Sequence, residues 1–274
     1  MALTAQSHTN PRRTVLALLL LAALVASVGH AQTPPVRMSP ADSPFPDVSG
    51  AQWTKIEGSS GRKFLTAVLR PEGSGSFPVV VVLHGGLGLN KTMMLVAEDV
   101  RQAGFLVVIG CWQAGQAQSD GNRLCAEATP QAEWLAGPAA HCCGKELIAM
   151  ARTLPGGRSD RLGLYGLSIG GYAALWVAST GGNVQAVVAD APPSAKPRDV
   201  LAGLIAPLLV LHGTADKVVS VEQTREYEGA ARALSKPVVV AYLEGVGHLA
   251  SVQPESQAEA RKRAIAFLRE HLLK

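Results

Sequence analysis

Runs of apolar residues alternate along this chain with stretches in which apolar residues recur every three or four positions. The runs predict strands, because a strand covered by helices on both faces is apolar at consecutive positions. The predicted strands cover residues 64–69, 79–83, 105–109, 162–165, 184–189, 207–211 and 238–243. The stretches with the longer period predict helices over residues 92–103, 145–154, 173–178, 221–234 and 255–273.

Because strands and helices alternate, we expect one α/β domain over residues 51–274, with a mostly parallel sheet and helices on both of its faces. Residues 112–139 are polar, rich in glycine and interrupted by proline, and they predict a long loop insertion. The stretch between the strands at 184–189 and 207–211 is too short for a large cap domain.

Composition excludes several other classes of protein. Hydrophobic residues make up 47% of the chain and charged residues 17%, which excludes a disordered chain and, with 28 glycines, a coiled coil. The formal net charge is +4 and there is no basic cluster, so we expect no nucleic acid partner.

The amino-terminal segment has the organisation of a secretory signal peptide. Arg12 and Arg13 precede an uncharged run at 14–28, and small residues around position 31 suit cleavage before Gln32. The run is shorter than the roughly 20 residues that a membrane span requires, although a retained anchor is the alternative. We therefore expect residues 1–31 to be removed, residues 32–50 to be a proline-rich linker or arm, and the protein to be secreted or periplasmic without a stable membrane span.

Export would place the four cysteines in an oxidising compartment, where an even number favours disulfides. A bond between the adjacent Cys142 and Cys143 would be strained. We therefore expect Cys111 and Cys125 each to pair with one of these two, in either arrangement. Four free thiols are the alternative.

The segment Gly166-Leu167-Ser168-Ile169-Gly170 has the pattern G-x-S-x-G between a predicted strand and a predicted helix. A nucleophile elbow needs that arrangement, because its tight turn exposes the serine hydroxyl and small neighbours allow the helix to pack closely. Ser168 is therefore the candidate nucleophile.

A serine nucleophile needs a base and an acid that orients the base. His248 follows the last predicted strand in a glycine-rich loop and is the candidate base, whereas His84 and His212, at strand ends, are expected to be structural. Asp216 follows the preceding strand and is the candidate acid, with Asp190 as its competitor. The order serine, aspartate, histidine is that of an α/β hydrolase.

Backbone amides that stabilise an oxyanion are expected next to the nucleophile and after the strand at 79–83. Ile169 is the first of these, and Gly86 is the second, with Leu87 as the other choice. Trp112 and Trp134, in the loop insertion, are expected either to wall the substrate pocket or to be ordinary packing residues.

Four segments of the chain resemble the dienelactone hydrolase-like branch of the α/β-hydrolase superfamily. They are Val82-Leu83-His84-Gly85-Gly86, Gly166-Leu167-Ser168-Ile169-Gly170-Gly171, Leu211-His212-Gly213-Thr214-Ala215-Asp216 and Gly245-Val246-Gly247-His248. The resemblance implies a single domain with an eight-stranded sheet. Two features depart from the branch: the elbow carries Ser168 where the namesake enzymes carry cysteine, and glycines replace an acidic residue after the strand at 79–83.

Together these features predict an exported serine esterase that cleaves carboxylic esters through an acyl-enzyme, without a metal or an organic cofactor. Its partner would be a small-molecule ester or lactone. A dienelactone hydrolase-like lactonase or a small peptidase is the alternative with the same chemistry. A non-catalytic binding protein on a hydrolase scaffold is the alternative of another class.

Overall fold

The main element of the fold is a sheet of nine strands within the part of the chain that the computed structural model describes. That part comprises residues 37–45, 50–57, 61, 63–112, 123–125, 142–194 and 196–274. The strands of this sheet are β1 (Arg37–Pro40), β2 (Ala51–Glu57), β3 (Lys63–Leu69), β4 (Phe77–Leu83), β6 (Leu106–Gly110), β8 (Gly157–Leu167), β9 (Ala186–Asp190), β10 (Leu208–Gly213) and β11 (Val238–Leu243). A separate two-stranded ladder joins β5 (Leu89–Asn90) to β7 (Arg123–Leu124).

The strands lie in the order β1-β2-β3-β6-β4-β8-β9-β10-β11. The first three are joined in antiparallel fashion, and β3 is antiparallel to β6. From β6 to β11 every pairing is parallel. The carboxyl ends of six neighbouring strands therefore lie at one edge of the sheet, where α/β proteins place their binding sites.

Six helices connect the strands within the described residues. They are α1 (Lys91–Gln102), α2 (Cys142–Thr153), α3 (Ile169–Ser179), α4 (Pro197–Ala202), α5 (Val221–Ala233) and α6 (Gln257–Leu272). Helix α3 packs on β8 and β9, α2 on β8 and β4, and α5 on β10 and β11. The predicted fold class, a mostly parallel sheet flanked by helices, is confirmed, and the sheet has nine strands where eight were expected.

Strand β4 forms the centre of the hydrophobic core. Its residues Val79–Val82 and Leu83 are completely buried, and so are their neighbours on β6, Leu106–Ile109. The β-branched side chains suit a strand that is covered on both faces. This continuous burial is what the apolar run in the sequence predicted.

Strands β1 and β2 were not predicted from the pattern of apolar residues. In β2 the two buried side chains are Trp53 and Ile56, which are three positions apart, so the strand lacks the alternation that marks a half-buried strand. Strand β1 lies within the segment predicted as a linker or arm, and it pairs with β2 at the outer side of the sheet.

One disulfide joins described residues, and it links Cys111 to Cys125 with their Cα atoms 5.5 Å apart. The expectation that Cys111 pairs with Cys142 or with Cys143 was therefore wrong. The physical reason is the β5–β7 ladder, which pairs Leu89 with Leu124 and thereby brings Cys125 beside the end of β6.

Several predictions fall on other parts of the chain. The signal peptide at 1–31, most of the insertion at 112–139 and Trp134 lie outside the described residues. Among the helices that are described, none combines the length and the apolar character needed to cross a membrane.

Candidate active site

Ser168 occupies the turn between β8 and α3 in a backbone conformation that is rare for a side-chain-bearing residue, with φ 55° and ψ −123°. Such a conformation costs about 1–3 kcal/mol and persists where the surroundings enforce it. Here the surroundings are tight, because a Cβ at Gly166 would lie 2.1 Å from the carbonyl oxygen of Gly170. A Cβ at Gly170 would lie 2.1 Å from the carbonyl oxygen of Leu83, at the end of β4. The glycines of the motif thus allow the helix to start against the strand ends.

His248 lies in the loop after β11, and its Nε2 is 3.1 Å from Ser168 Oγ. Its Nδ1 lies 2.7 Å from Asp216 Oδ2. Because a carboxylate only accepts hydrogen bonds, Nδ1 carries a proton and donates it to Asp216. In the neutral ring Nε2 is then the acceptor for the hydroxyl of Ser168, which is the orientation that a general base requires.

The Asp216 side chain is completely buried and held from three directions. Its Oδ1 accepts hydrogen bonds from the amides of Val218 (2.8 Å) and Val219 (2.9 Å). Its Oδ2 faces His212 Nε2 at 3.3 Å in addition to His248. The His212 ring is fixed by two closer partners, the carbonyl oxygen of Val219 at 2.9 Å from Nε2 and Thr224 Oγ1 at 2.6 Å from Nδ1.

Asp190, the competing acid, ends β9 and points elsewhere. Its carboxylate accepts the amides of Ala250 (3.2 Å) and Ser251 (2.7 Å), in the loop just after His248. The side chain is completely buried, and burial raises the pKa of this carboxyl above its usual range. The structure thus brings Asp216, and not Asp190, to the ring nitrogen of His248.

The two regions expected to supply oxyanion donors lie on either side of Ser168. Ile169 is the first residue of α3, where a backbone N–H has no acceptor within the helix. After β4 the chain makes a turn over residues 85–88, closed by a hydrogen bond of 3.0 Å from Gly88 N to Gly85 O. A Cβ at Gly85 would lie 3.3 Å from Ser168 Cβ, so this turn runs beside the nucleophile. Gly86 and Leu87 are its two central residues, and Leu87 is largely exposed.

The residues behind this turn are buried and hydrogen-bonded. His84 Nδ1 donates to Gly85 O at 2.9 Å, and burial lowers the pKa of His84 to about 4, so the ring is neutral. Trp112 is completely buried, and its Nε1 donates to His84 O at 3.1 Å. The structure therefore places Trp112 behind the turn, and a pocket role for Trp112 or Trp134 stays a prediction.

Two polar residues of this region belong to no motif in the sequence. Gln253 donates from Nε2 to the carbonyl oxygen of His248 at 2.6 Å, and the hydroxyl of Ser251 bonds to Tyr165. Their only signal in the sequence is proximity to His248. In the part of the chain that the structure describes, no group of three histidine, cysteine, aspartate or glutamate side chains is arranged to hold a metal ion.

The sheet order and the turn that carries Ser168 define the fold of the α/β hydrolases. Residues 64–272 match the model described as the Dienelactone hydrolase family, and the chain belongs to that family. A curated relative from Bradyrhizobium sp. is 24% identical over 245 residues, covering 80% of this chain and 94% of the relative. Its name is "Probable 2-oxo-3-(5-oxofuran-2-ylidene)propanoate lactonase".

Solved structures share the fold at low sequence identity. A dienelactone hydrolase-like promiscuous phosphotriesterase from metagenomic libraries is 18% identical, with a TM-score of 0.69, over 81% of this chain and 98% of that one. Dipeptidyl peptidase 4 from Porphyromonas gingivalis is 19% identical, with a TM-score of 0.63, over 81% of this chain. This chain spans only 35% of the peptidase, so the match concerns one part of a longer protein. The chain is thus a hydrolase by family.

Proposed function

We propose that this protein is an exported serine hydrolase that cleaves carboxylic esters through an acyl-enzyme. The observation that carries the proposal is the continuous chain of hydrogen bonds from Ser168 Oγ through His248 to Asp216, with distances of 3.1 and 2.7 Å. A serine hydroxyl becomes a competent nucleophile when a base takes its proton. His248 is that base, and its hydrogen bond to Asp216 favours the tautomer that leaves Nε2 free to accept the proton.

The proposed reaction has two halves. Ser168 Oγ attacks the acyl carbon while His248 Nε2 takes the hydroxyl proton, and the negative charge moves to the former carbonyl oxygen. The amides of Ile169 and Gly86 stabilise that charge. His248 then gives its proton to the departing alkoxide, which leaves as the alcohol. Water attacks the acyl-enzyme by the same steps and releases the carboxylic acid.

A lactone is the second candidate substrate, and the name of the Bradyrhizobium relative favours it. Opening a lactone uses the same attack, but the alcohol stays attached to the acyl group. The relevant chemical difference lies in deacylation, because a tethered alcohol can close the ring again unless it moves away from the acyl carbon. Hydrolysis of a lactone and of its open-chain ester analogue, measured side by side, separates the two substrate classes.

Replacement of the nucleophile tests the proposed chemistry. Ser168→Ala should lose at least about 10³-fold in kcat on an aryl ester, since removal of a triad nucleophile removes covalent catalysis. In the wild-type protein an aryl phosphonate should label Ser168 alone, as read by peptide mass mapping. The matched control is Ser179→Ala, at the other end of the same helix, which should keep wild-type turnover and labelling. Undiminished ester hydrolysis by Ser168→Ala would refute the mechanism.

Export is supported by the Cys111–Cys125 disulfide, because such bonds persist in oxidising compartments. Fractionation of expressing cells tests this part of the proposal. We expect the protein in the periplasm or the medium, with Gln32 as its first residue. A full-length chain recovered from the cytoplasm would contradict export without affecting the proposed chemistry.

A further inference from the structure

Asp190 ties the turn that carries the nucleophile to the loop that carries the base. Its backbone carbonyl accepts the amide of Ser168 at 2.8 Å. Its side chain accepts the amides of Ala250 and Ser251, which are two and three residues beyond His248. One residue at the end of β9 therefore fixes the positions of both partners in the proposed proton transfer.

We infer that Asp190 is a positioning residue, whose carboxylate holds His248 within hydrogen-bonding distance of Ser168. The inference rests on the proposed serine hydrolase function and adds a residue that does not touch the reacting groups. It gives the buried carboxylate a role distinct from that of Asp216, the proposed acid of the triad.

The loop needs such support because its backbone is strained. Leu249, between His248 and the two bonded amides, has φ 63°, in the left-handed region that favours glycine. A residue stays in this conformation only where neighbouring contacts enforce it. The carboxylate of Asp190 supplies two of these contacts, directly after the strained residue.

Each oxygen of the Asp190 carboxyl group accepts one backbone amide, Oδ1 from Ala250 and Oδ2 from Ser251. The Ser251 hydroxyl, in the same loop, bonds to the hydroxyl of Tyr165. Two amides thus converge on one buried carboxyl group, and Asp190, Ser251 and Tyr165 are all completely buried.

Other groups hold the carbonyl side of the same loop. Ser256 Oγ donates to the carbonyl oxygen of Ala250 at 2.8 Å, and Arg261 Nε donates to that of Ser251 at 2.7 Å. These bonds do not involve Asp190, so a change at Asp190 leaves them in place. The loop should therefore shift by a small distance in an Asp190 variant and remain folded.

Asp190→Asn is the informative substitution because it keeps the shape of the side chain and replaces one acceptor oxygen with an NH₂ donor. An asparagine offers one oxygen and one NH₂ group to two amide N–H groups, so one amide faces another donor. Since small misplacements near a reaction centre can cost up to about 100-fold, we expect kcat to fall about 10- to 100-fold. KM should change by less than about threefold, because the substrate-binding surfaces are untouched.

The decisive measurement is the rate at which an aryl phosphonate reacts with Ser168, together with the final number of labelled sites. Asp190→Asn should label to full stoichiometry with a second-order rate constant about 10- to 100-fold below that of the wild type. Asp190→Ser, which leaves room for a water beside the amides, should be slowed in the same direction. Tyr165→Phe keeps both amide bonds and should react within about threefold of the wild type, as should the exposed-site control Asp160→Asn.

The outcomes separate the inference from the function on which it rests. If wild-type Ser168 takes no label, the proposed hydrolase function fails and the inference fails with it. If the wild type is labelled and both Asp190 variants react at its rate, only the positioning role is refuted. Reduced stoichiometry with an unchanged rate per reactive site would also refute it, because that result describes a folding defect.

Discussion

His84 is a buried histidine whose neutral form the fold enforces. Its ring is completely buried against Trp112, and burial lowers its pKa from the ordinary 6.5 to about 4. Protonation would place a charge behind the turn at residues 85–88, where the Nε2 atom has no hydrogen-bond partner among the described residues. The proton is therefore bound more weakly by the folded protein than by the unfolded chain.

The sign of the resulting pH dependence follows from linkage. Between pH 6.5 and 4 the unfolded chain binds a proton at His84 that the folded protein does not, so this residue's contribution to stability is complete above pH 6.5 and is lost as the pH falls toward 4. Lowering the pH from 6.5 to 4.5 should cost about 2–3 kcal/mol through His84 alone.

Urea unfolding of wild type and His84→Asn at several pH values measures this contribution. The loss of unfolding free energy between pH 6.5 and 4.5 should be smaller in the variant by about 2–3 kcal/mol. Between pH 7 and 8 the two proteins should show parallel pH dependence, which serves as the internal control. If both proteins lose the same unfolding free energy between pH 6.5 and 4.5, the lowered pKa of His84 is contradicted.

Residue by residue, the sequence was informative where a motif is local. Short segments after predicted strands indicate Ser168, Asp216 and His248, and these residues lie within hydrogen-bonding distance in the expected order. The contact of Asp190 with Ala250 and Ser251 could not be predicted, because it joins residues about sixty positions apart. No local pattern distinguishes a carboxylate that orients a ring from one that holds a loop.

At the scale of elements, α3 begins in close contact with the end of β4. A Cβ at Gly170 would lie 2.1 Å from the carbonyl oxygen of Leu83 and 2.5 Å from that of His84. These are backbone atoms of the central sheet, so they cannot move aside as the end of a flexible side chain can. The helix can approach this closely only with glycine at that position.

Gly170→Ala should therefore lower the free energy of unfolding by about 2–4 kcal/mol, in the range of overpacked cores. The matched control is Gly229→Ala in α5, where nothing lies within 4 Å of the added Cβ and φ is not left-handed. That variant should gain about 0.5–1 kcal/mol, because alanine favours a helix interior over glycine. Urea unfolding compares both, and a Gly170→Ala protein as stable as wild type would contradict the close approach.

Elements with continuous apolar runs or long amphipathic periods could be predicted from the sequence, to within about five residues at each end. Strand β2 could not, because its buried Trp53 and Ile56 are three positions apart. Helix α4 could not either, since its six residues are too few for a helical period to emerge. In both cases tertiary contacts, and not the local pattern, determine the structure.

At the scale of the whole molecule, the Cys111–Cys125 bond joins the end of β6 to the β5–β7 ladder. Its sequence separation of 14 corresponds to about 3 kcal/mol in the chain-entropy model. The sequence predicted a disulfide in this region but not its pairing, because the pairing depends on how the ladder brings β7 beside β5.

A double variant, Cys111→Ser with Cys125→Ser, should lose about 3 kcal/mol of unfolding free energy. It should also lose activity on bulky esters more than on small ones, because the bond closes part of the loop insertion at 112–139. Non-reducing peptide mapping of the exported wild type should recover the peptides of Cys111 and Cys125 as a linked pair. If both thiols are alkylated in the native protein, the bond and its contribution are refuted.

The short strand β1 pairs with β2 at the outer side of the sheet. It pairs with residues 54–57 of β2, and the next residue, Ala41, donates its amide to the carbonyl oxygen of Trp53. Long unpaired strand edges promote aggregation, whereas a four-residue edge that ends in Pro40, which has no N–H to donate, is a poor template for pairing between molecules. Proteolytic removal of the residues up to Pro40 would leave the seven-residue edge of β2 without a partner strand. Strands of other protein molecules could then pair with that edge.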